Sequence, residues 1–309
     1  MATTKNFQNG FNYSGKKSLI ETIDEVKKSS KSRNEKIIML KACGLRDKEI
    51  SDILRTYVPK GIKVGGRFVY TFGVEIECYH ANRTELLMQA LAYGVKLESQ
   101  GYNHTDSHET FKIVSDGSLS GVDNNEIVSP VLSGNKKGLD QIKAITKCLD
   151  GVGARVNRSC GLHVHIGTKN LTFEQYLNVF KNYAALERLI DTFMPESRRG
   201  DNAMYARSLS EFNFGEVHTH QDLERVMGSR YYKVNAFAWS RHNTIEFRQH
   251  SGTTDYKKIS NWVKFCAKLV AWSRNNVFEM IPVRIQDIPF LNEEEKHFFE
   301  ARATSLAQA

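Results

Sequence analysis

Three short segments constrain this chain more than anything else in it. Each sets two charged or metal-competent side chains two residues apart among hydrophobes. They are Glu75 and Glu77 in TFGVEIECYH, His163 and His165 in SCGLHVHIG, and Glu246 and Arg248 in NTIEFRQHSG. Their Val, Ile and Phe content, and their alternation of apolar with polar, predict strands. Residues i and i+2 of a strand share a face, roughly 6.5–7 Å apart. Three such strands side by side would build one polar floor of carboxylates, imidazoles and a guanidinium. Charges on a sheet face flanked by hydrophobes are costly unless paired or bound to an ion. The pattern therefore suggests bound divalent metal.

A chain of 309 residues suffices for one large domain, or for one domain with a small extension. Apolar residues make up 40% and charged residues 25%, as in an ordinary globular protein. Lys and Arg outnumber Asp and Glu by 43 to 35, and the net charge of +8 favours anionic partners, nucleotide phosphates or nucleic acid, without choosing between them. The cysteines (Cys43, Cys78, Cys148, Cys160 and Cys266) form no CxxC pair, and the first residues carry no apolar stretch of the signal-peptide kind. Both features lead us to expect free thiols and a cytoplasmic setting. No run approaches the roughly 18–20 apolar residues of a membrane helix, so no membrane partner is expected.

Residues 1–32 are polar, with a weak helical pattern at Leu19, Ile20, Ile23 and Val26. The next segment, 34–57, predicts a helix carrying Ile37, Ile38 and Leu40, a stop at Gly44, and a second helix capped by Asp47 with Ile50, Ile53 and Leu54. Helix, glycine turn and helix resemble a helix-turn-helix that contacts nucleic acid. A plain helical hairpin has the same pattern. VPKGIKVGG at 58–66 reads as a linker, so we divide the chain into a helical extension, 1–65, and a main domain, 66–309. In the main domain strands are expected at 68–79, 112–115, 125–129, 161–167, 231–237 and 244–250, the last two as a hairpin turning at SRHN. Helices are expected at 83–93, 135–149, 173–193, 257–275 and 292–302. This mixture predicts an α+β fold: a curved, largely antiparallel sheet with helices on its outer face and the polar floor on the other.

Each candidate has a bland alternative. Glu75 and Glu77 either share a divalent ion or are paired with Arg or Lys. His163 and His165 suit metals of several kinds, whereas a lone strand histidine is more often a core residue. Gly161 before them would let a neighbour approach closely. Glu246 and Arg248 form a surface ion pair, or Glu246 binds metal and leaves Arg248 to hold a phosphoryl group or carboxylate. Glu126 is a single acid in a short strand. Asp116 and Ser118, in SDGSL, contact substrate or merely shape a turn. Cys160 reads as a packing residue, and no Ser–His or Cys–His constellation indicates a protein nucleophile.

Taken in order, FGVEIE, SDGSL, NNEIVSP, CGLHVHIG, RYYKVN and TIEFRQHSGT resemble the amidoligase family, in the superfamily of glutamine synthetase and glutamate–cysteine ligase. The resemblance runs from about Phe72 to about Trp272 and leaves the first 65 residues outside it. It implies a glutamine synthetase-like half-barrel that binds ATP with Mg²⁺ or Mn²⁺ and joins a carboxylate to an amine through an acyl phosphate. By the same resemblance Glu75, His163 and Glu246 would share the ion on the β- and γ-phosphates, and Glu77 and Glu126 the ion nearer the acceptor. His165 and Arg248 would touch phosphate oxygens, Arg248 as the residue stabilising charge on the transferred group, and Arg230 and Asn235 would contact nucleotide or substrate. The substrate would be a small molecule, a peptide or, in a bacterial or phage-infected cell, a modified base. A nucleic-acid-binding regulator and a metal-dependent phosphotransferase or hydrolase are the competing readings.

Overall fold

Alternation along the first strand decides the plan of the molecule. Phe72, Val74, Ile76 and Cys78 are buried, while Gly73, Glu75 and Glu77 take the opposite face. The computed structural model describes residues 70–101, 109–210 and 212–308, the stretch 33–45, and positions 22, 23, 25, 26, 29, 31 and 50. The chain divides into two compact units, residues 1–61 and 62–309.

In the larger unit the strands are β1 (Thr71–Cys78), β2 (Leu97–Ser99), β3 (Phe111–Val114), β4 (Asn125–Val128), β5 (Leu132–Ser133), β6 (Leu162–Gly167), β7 (Val234–Asn235) and β8 (Thr244–Phe247). Among the described residues they form one sheet in the order β2–β3–β4–β1–β6–β8–β7, with β5 on β1. Only β2 and β3 run parallel. The sheet is open and largely antiparallel, as the α+β reading expects.

Helix α1 (Arg33–Ala42) belongs to the smaller unit, and α2 (Arg83–Ala92), α3 (Lys136–Gly151), α4 (Phe173–Thr192), α5 (His220–Met227), α6 (Ala238–His242), α7 (Tyr256–Ser273) and α8 (Glu293–Ala307) to the larger. Side-chain caps start several of them: Asn135 for α3, Asp255 for α7, and full capping boxes at Thr172 for α4 and Asn292 for α8. Ile142 and Ile145 of α3, Tyr176 and Phe180 of α4, and Trp262 and Phe265 of α7 join Val74, Ile76, Val164 and Phe247 of the sheet in one core. Gly138 is required where α3 meets β5, since a Cβ there would lie 2.1 Å from the Ser133 carbonyl oxygen. With this face filled by helices, the charged face is left to line a cleft.

The expected hairpin is altered. Only Val234 and Asn235 pair with β8, and α6 fills the turn, capped by Asn243 in the left-handed region at φ 54°. Its sequence AWSRH has no β-branched residue to favour extended backbone, and Trp239 is drawn into a stack on His220, with ring centroids 3.8 Å apart. In the smaller unit α1 ends before Gly44, which adopts φ 82°. Ile37 and Leu40 pack with Val26, Leu45 and Ile50, but Ile38 is 66% exposed and leaves the expected face. Leu19, Ile20, Asp47, Ile53, Leu54, the linker at 58–66 and most of the 100–110 loop lie outside the described residues. No described helix is long and apolar enough to cross a membrane.

Candidate active site

Strand register gathers the acids and imidazoles. Glu75 lies opposite His163, and Glu77 opposite Glu126. His165 lies opposite Glu246, which in turn lies opposite Asn235. Directly paired residues share a face of the sheet. The three motifs thus occupy neighbouring strands β1, β6 and β8, with β4 and β7 adding one residue each. Above them is a cleft of about 880 Å³, whose lining also includes Lys112, Asp116, Ser118, Arg198 and Arg230.

The side chains form a continuous polar network. His163 Nδ1 is 2.9 Å from Glu75 Oε2, and its Nε2 is 3.6 Å from Glu77 Oε1. His165 Nδ1 is 2.9 Å from Thr244 Oγ1. Glu246 accepts from Asn235 Nδ2 at 2.6 Å and from Arg248 Nη1 at 2.5 Å. Arg248 Nε donates to the Tyr205 carbonyl at 3.2 Å. The Gly161 amide donates to Glu77 Oε2 at 2.5 Å, and a Cβ on Gly161 would sit 3.0 Å from His163 Nε2. The close approach expected at this glycine is therefore to the site itself.

Electrostatics separate the carboxylates. Burial alone would raise the Glu75 carboxyl, but its hydrogen bond with His163 and the adjacent His165 imidazole hold it well below the usual range. Glu246 is also depressed against the effect of burial, mainly by Arg248 and then His165. Glu126 goes the other way: burial and the charges of Glu75 and Glu77 push its carboxyl well above the usual range. His165 is raised despite burial, by Glu75 and Glu246.

Two groups of donor atoms lie within 4.8 Å of one another: Glu75, Glu126 and His163, and Glu75, His165 and Glu246. Glu126 Oε2 and His165 Nε2 are buried without a hydrogen-bond partner among the described residues. His165 Nε2 comes to 3.3 Å from Glu75 Oε1, its closest carboxylate oxygen. Buried polar atoms without partners are uncommon in folded proteins. Of the six such atoms among the described residues, these two are the ones that belong to the donor groups, and an oxygen-rich set with one imidazole suits Mg²⁺ or Mn²⁺. The residues present therefore fit a divalent ion. The grouping differs from the one the resemblance implies, since Glu75 is shared, Glu126 joins His163, and Glu77 belongs to neither group.

The remaining sequence candidates sit as follows. Asp116 and Ser118 line the cleft, and Asp116 Oδ1 also accepts from the Ser118 amide at 2.7 Å, the bond of a local turn. Arg230 is exposed at the rim, with its guanidinium 5.4 Å from the Tyr231 ring centroid. Asn235 contacts Glu246 directly. Cys160 is buried, and burial raises its thiol. Lys112 and Arg198 are buried charged residues of the cleft that escaped the sequence reading. Lys112 is 5% exposed between Phe111 and Ile113, so alternation in FKIV could have found it. Arg198 is 7% exposed and comes from a segment with no periodicity.

The fold and site thus define an α+β protein whose sheet carries a floor of acids and imidazoles suited to divalent cations. The chain belongs to the amidoligase family: residues 69–270 match the family described as "Putative amidoligase enzyme". No curated protein matches the chain.

Proposed function

We propose that the protein is an ATP-dependent carboxylate–amine ligase working with Mg²⁺ or Mn²⁺. The observation that carries this reading is the pair of orphaned donors, Glu126 Oε2 and His165 Nε2, on the floor of a large cleft in an amidoligase-family chain. Glu75, Glu126, His163, His165 and Glu246 would hold the cations, and these would neutralise phosphate charge. Glu77, fixed by the Gly161 amide, lies 3.6 Å from the other nitrogen of His163 and would add a carboxylate beside the cations. Arg248, aimed by Glu246 and the Tyr205 carbonyl, and His165 would meet phosphoryl oxygens.

The reaction joins a carboxylate oxygen to the γ-phosphorus as the bond to ADP breaks. An amine then adds to the acyl carbon, loses its proton and displaces phosphate. Arg230 and Asn235 would contact nucleotide or substrate, and Asp116 and Ser118 the substrate; all four line the cleft. The test follows ADP release from Mg²⁺–ATP while panels of carboxylates and amines are supplied singly and together. Release only with both supports the ligase. Sustained release with water or with an amine alone, or a rate with carboxylate that no amine raises, overturns it in favour of a phosphotransferase or hydrolase on the same floor.

A further inference from the structure

The cleft contains a buried cation that the roles above do not use. Arg198 ends a short 3-10 turn at Glu196–Arg198 and is 7% exposed. Its Nη2 donates to the Cys160 carbonyl at 2.6 Å, which leaves Nε and Nη1 uncommitted among the described residues. It forms no ion pair there. Burial lowers its proton affinity, the charge of Glu77 offsets part of that effect, and Arg248 adds to it as a like charge. Arg248 in turn commits Nη1 to Glu246 and Nε to Tyr205, leaving Nη2.

Two buried guanidiniums with spare donors thus line one cleft, whereas Arg158, Arg230 and Arg241 on the same lining are exposed. Burying a cation without a counter-charge is costly, so the segment holding Arg198 must be firmly built. The Arg198 carbonyl accepts from Gln249 Nε2 at 3.0 Å, which ties it to the residue beside Arg248. Gln249 also donates to Asp191, and Asp191 accepts from the Gly200 amide at 2.8 Å and from Lys233 Nζ at 2.9 Å. Lys233 is fully buried and also bonds Glu187 at 2.8 Å. Glu187 accepts from the Leu209 amide at 2.7 Å. Both ends of the segment that carries Arg198 and Tyr205 are therefore pinned to α4 and to the strand region around 233.

We propose that Arg198 and Arg248 together form an oxyanion subsite that holds the phosphoryl group during its transfer, which makes Arg198 a catalytic residue. This rests on the ligase reading for the identity of the anion. A guanidinium presents its donors in a fixed fork that matches phosphate oxygens, and two of them can grip a trigonal group whose charge is spread over three oxygens. As the carboxylate oxygen bonds to phosphorus, the electron pair of the breaking bond leaves with ADP. Arg198 and Arg248 give up no proton and only donate hydrogen bonds.

The test uses the full-length chain and inorganic phosphate as the probe, titrated calorimetrically in saturating Mg²⁺ and again in EDTA. Arg198→Met is expected to weaken phosphate binding by about tenfold or more in Mg²⁺, with Arg198→Lys intermediate. Arg225→Met, which removes a cation on α5 away from the cleft lining, is expected to bind as wild type. Equal affinity in wild type and both Arg198 variants, an equal loss in Arg225→Met, or no phosphate binding by wild type in either condition overturns the proposal. If Arg198→Met does not fold, Arg198→Lys decides by the same comparison. Phosphate binding that follows Arg198 in a protein that never forms ADP keeps the subsite and rejects the ligase. ADP formation with phosphate binding indifferent to Arg198 does the reverse.

Discussion

Glu126 offers the sharpest quantitative prediction, because its cost changes sign with the metal. In the metal-free protein its carboxyl is 3% exposed, has one oxygen without a partner among the described residues, and faces the charges of Glu75 and Glu77. Its folded-state proton affinity is therefore raised. Between the ordinary value of 4.5 and the higher folded value, the native state binds more protons than the unfolded chain. Stability is fully present below the ordinary value and falls as pH rises above it. At pH 7 the loss is capped by simple protonation at about 2.5 units times 1.36 kcal/mol, or about 3.4 kcal/mol. Glu126→Gln imitates the protonated form. In EDTA at pH 7 it should raise stability by roughly 1–3 kcal/mol, or about 2–12 °C in Tm for a protein of this size. The difference should vanish near pH 4. Saturating Mg²⁺ should stabilise wild type by about 2.7 kcal/mol at a hundredfold excess over Kd, and the variant by much less. The assay is thermal denaturation across pH, with and without Mg²⁺. A Gln variant less stable than wild type in EDTA at pH 7, with an unchanged response to Mg²⁺, would refute the reasoning.

Three further outcomes follow from the same geometry. Glu246→Gln should abolish turnover and also cost about 3–5 kcal/mol, because it leaves the Arg248 guanidinium buried without its counter-charge; urea unfolding of a fully stable variant would contradict this. Lys233→Met should lose a similar amount, about 3–5 kcal/mol, by stranding Glu187 and Asp191, read as a Tm drop of roughly 6–20 °C. His250 is fully buried, and burial and the nearby Arg302 push it down to about 3. The unfolded chain takes up its proton near 6.5 while the fold refuses it to about 3, so stability is present above pH 6.5 and falls as pH drops through that window. His250→Gln should flatten the acid limb of the stability profile, and an unchanged limb would show that other groups set it.

The strands carrying paired functional residues were readable because a two-residue period couples face to chemistry. Glu75 and Glu77 could not both sit beside Val74 and Ile76 without forming a polar face. Register was not readable. Which of His163 and His165 joins Glu126 depends on strand offsets that these sequences leave open, and the donor groups differ from those expected for that reason. The 231–237 region failed because YYKVNAF looks extended, while only Val234 and Asn235 reach β8 and Lys233 turns inward to Glu187 and Asp191. Arg198 was hidden for a different cause. It sits in PESRRGDNAMYARS, which has no period at all, and its segment is held by bonds of the Gly200 amide to Asp191, the Leu209 amide to Glu187 and Gln249 to the Arg198 carbonyl.

The central claim is that divalent cations sit on this floor together with nucleotide phosphates. Crystals soaked with Mn²⁺ and a non-hydrolysable ATP analogue, measured at the manganese absorption edge, test it most directly. The account predicts anomalous density among Glu75, Glu126 and His163, or among Glu75, His165 and Glu246, with a phosphate chain reaching Arg248. Manganese or nucleotide bound only elsewhere, with the carboxylates of Glu75 and Glu246 still paired to His163 and Arg248 alone, would contradict it.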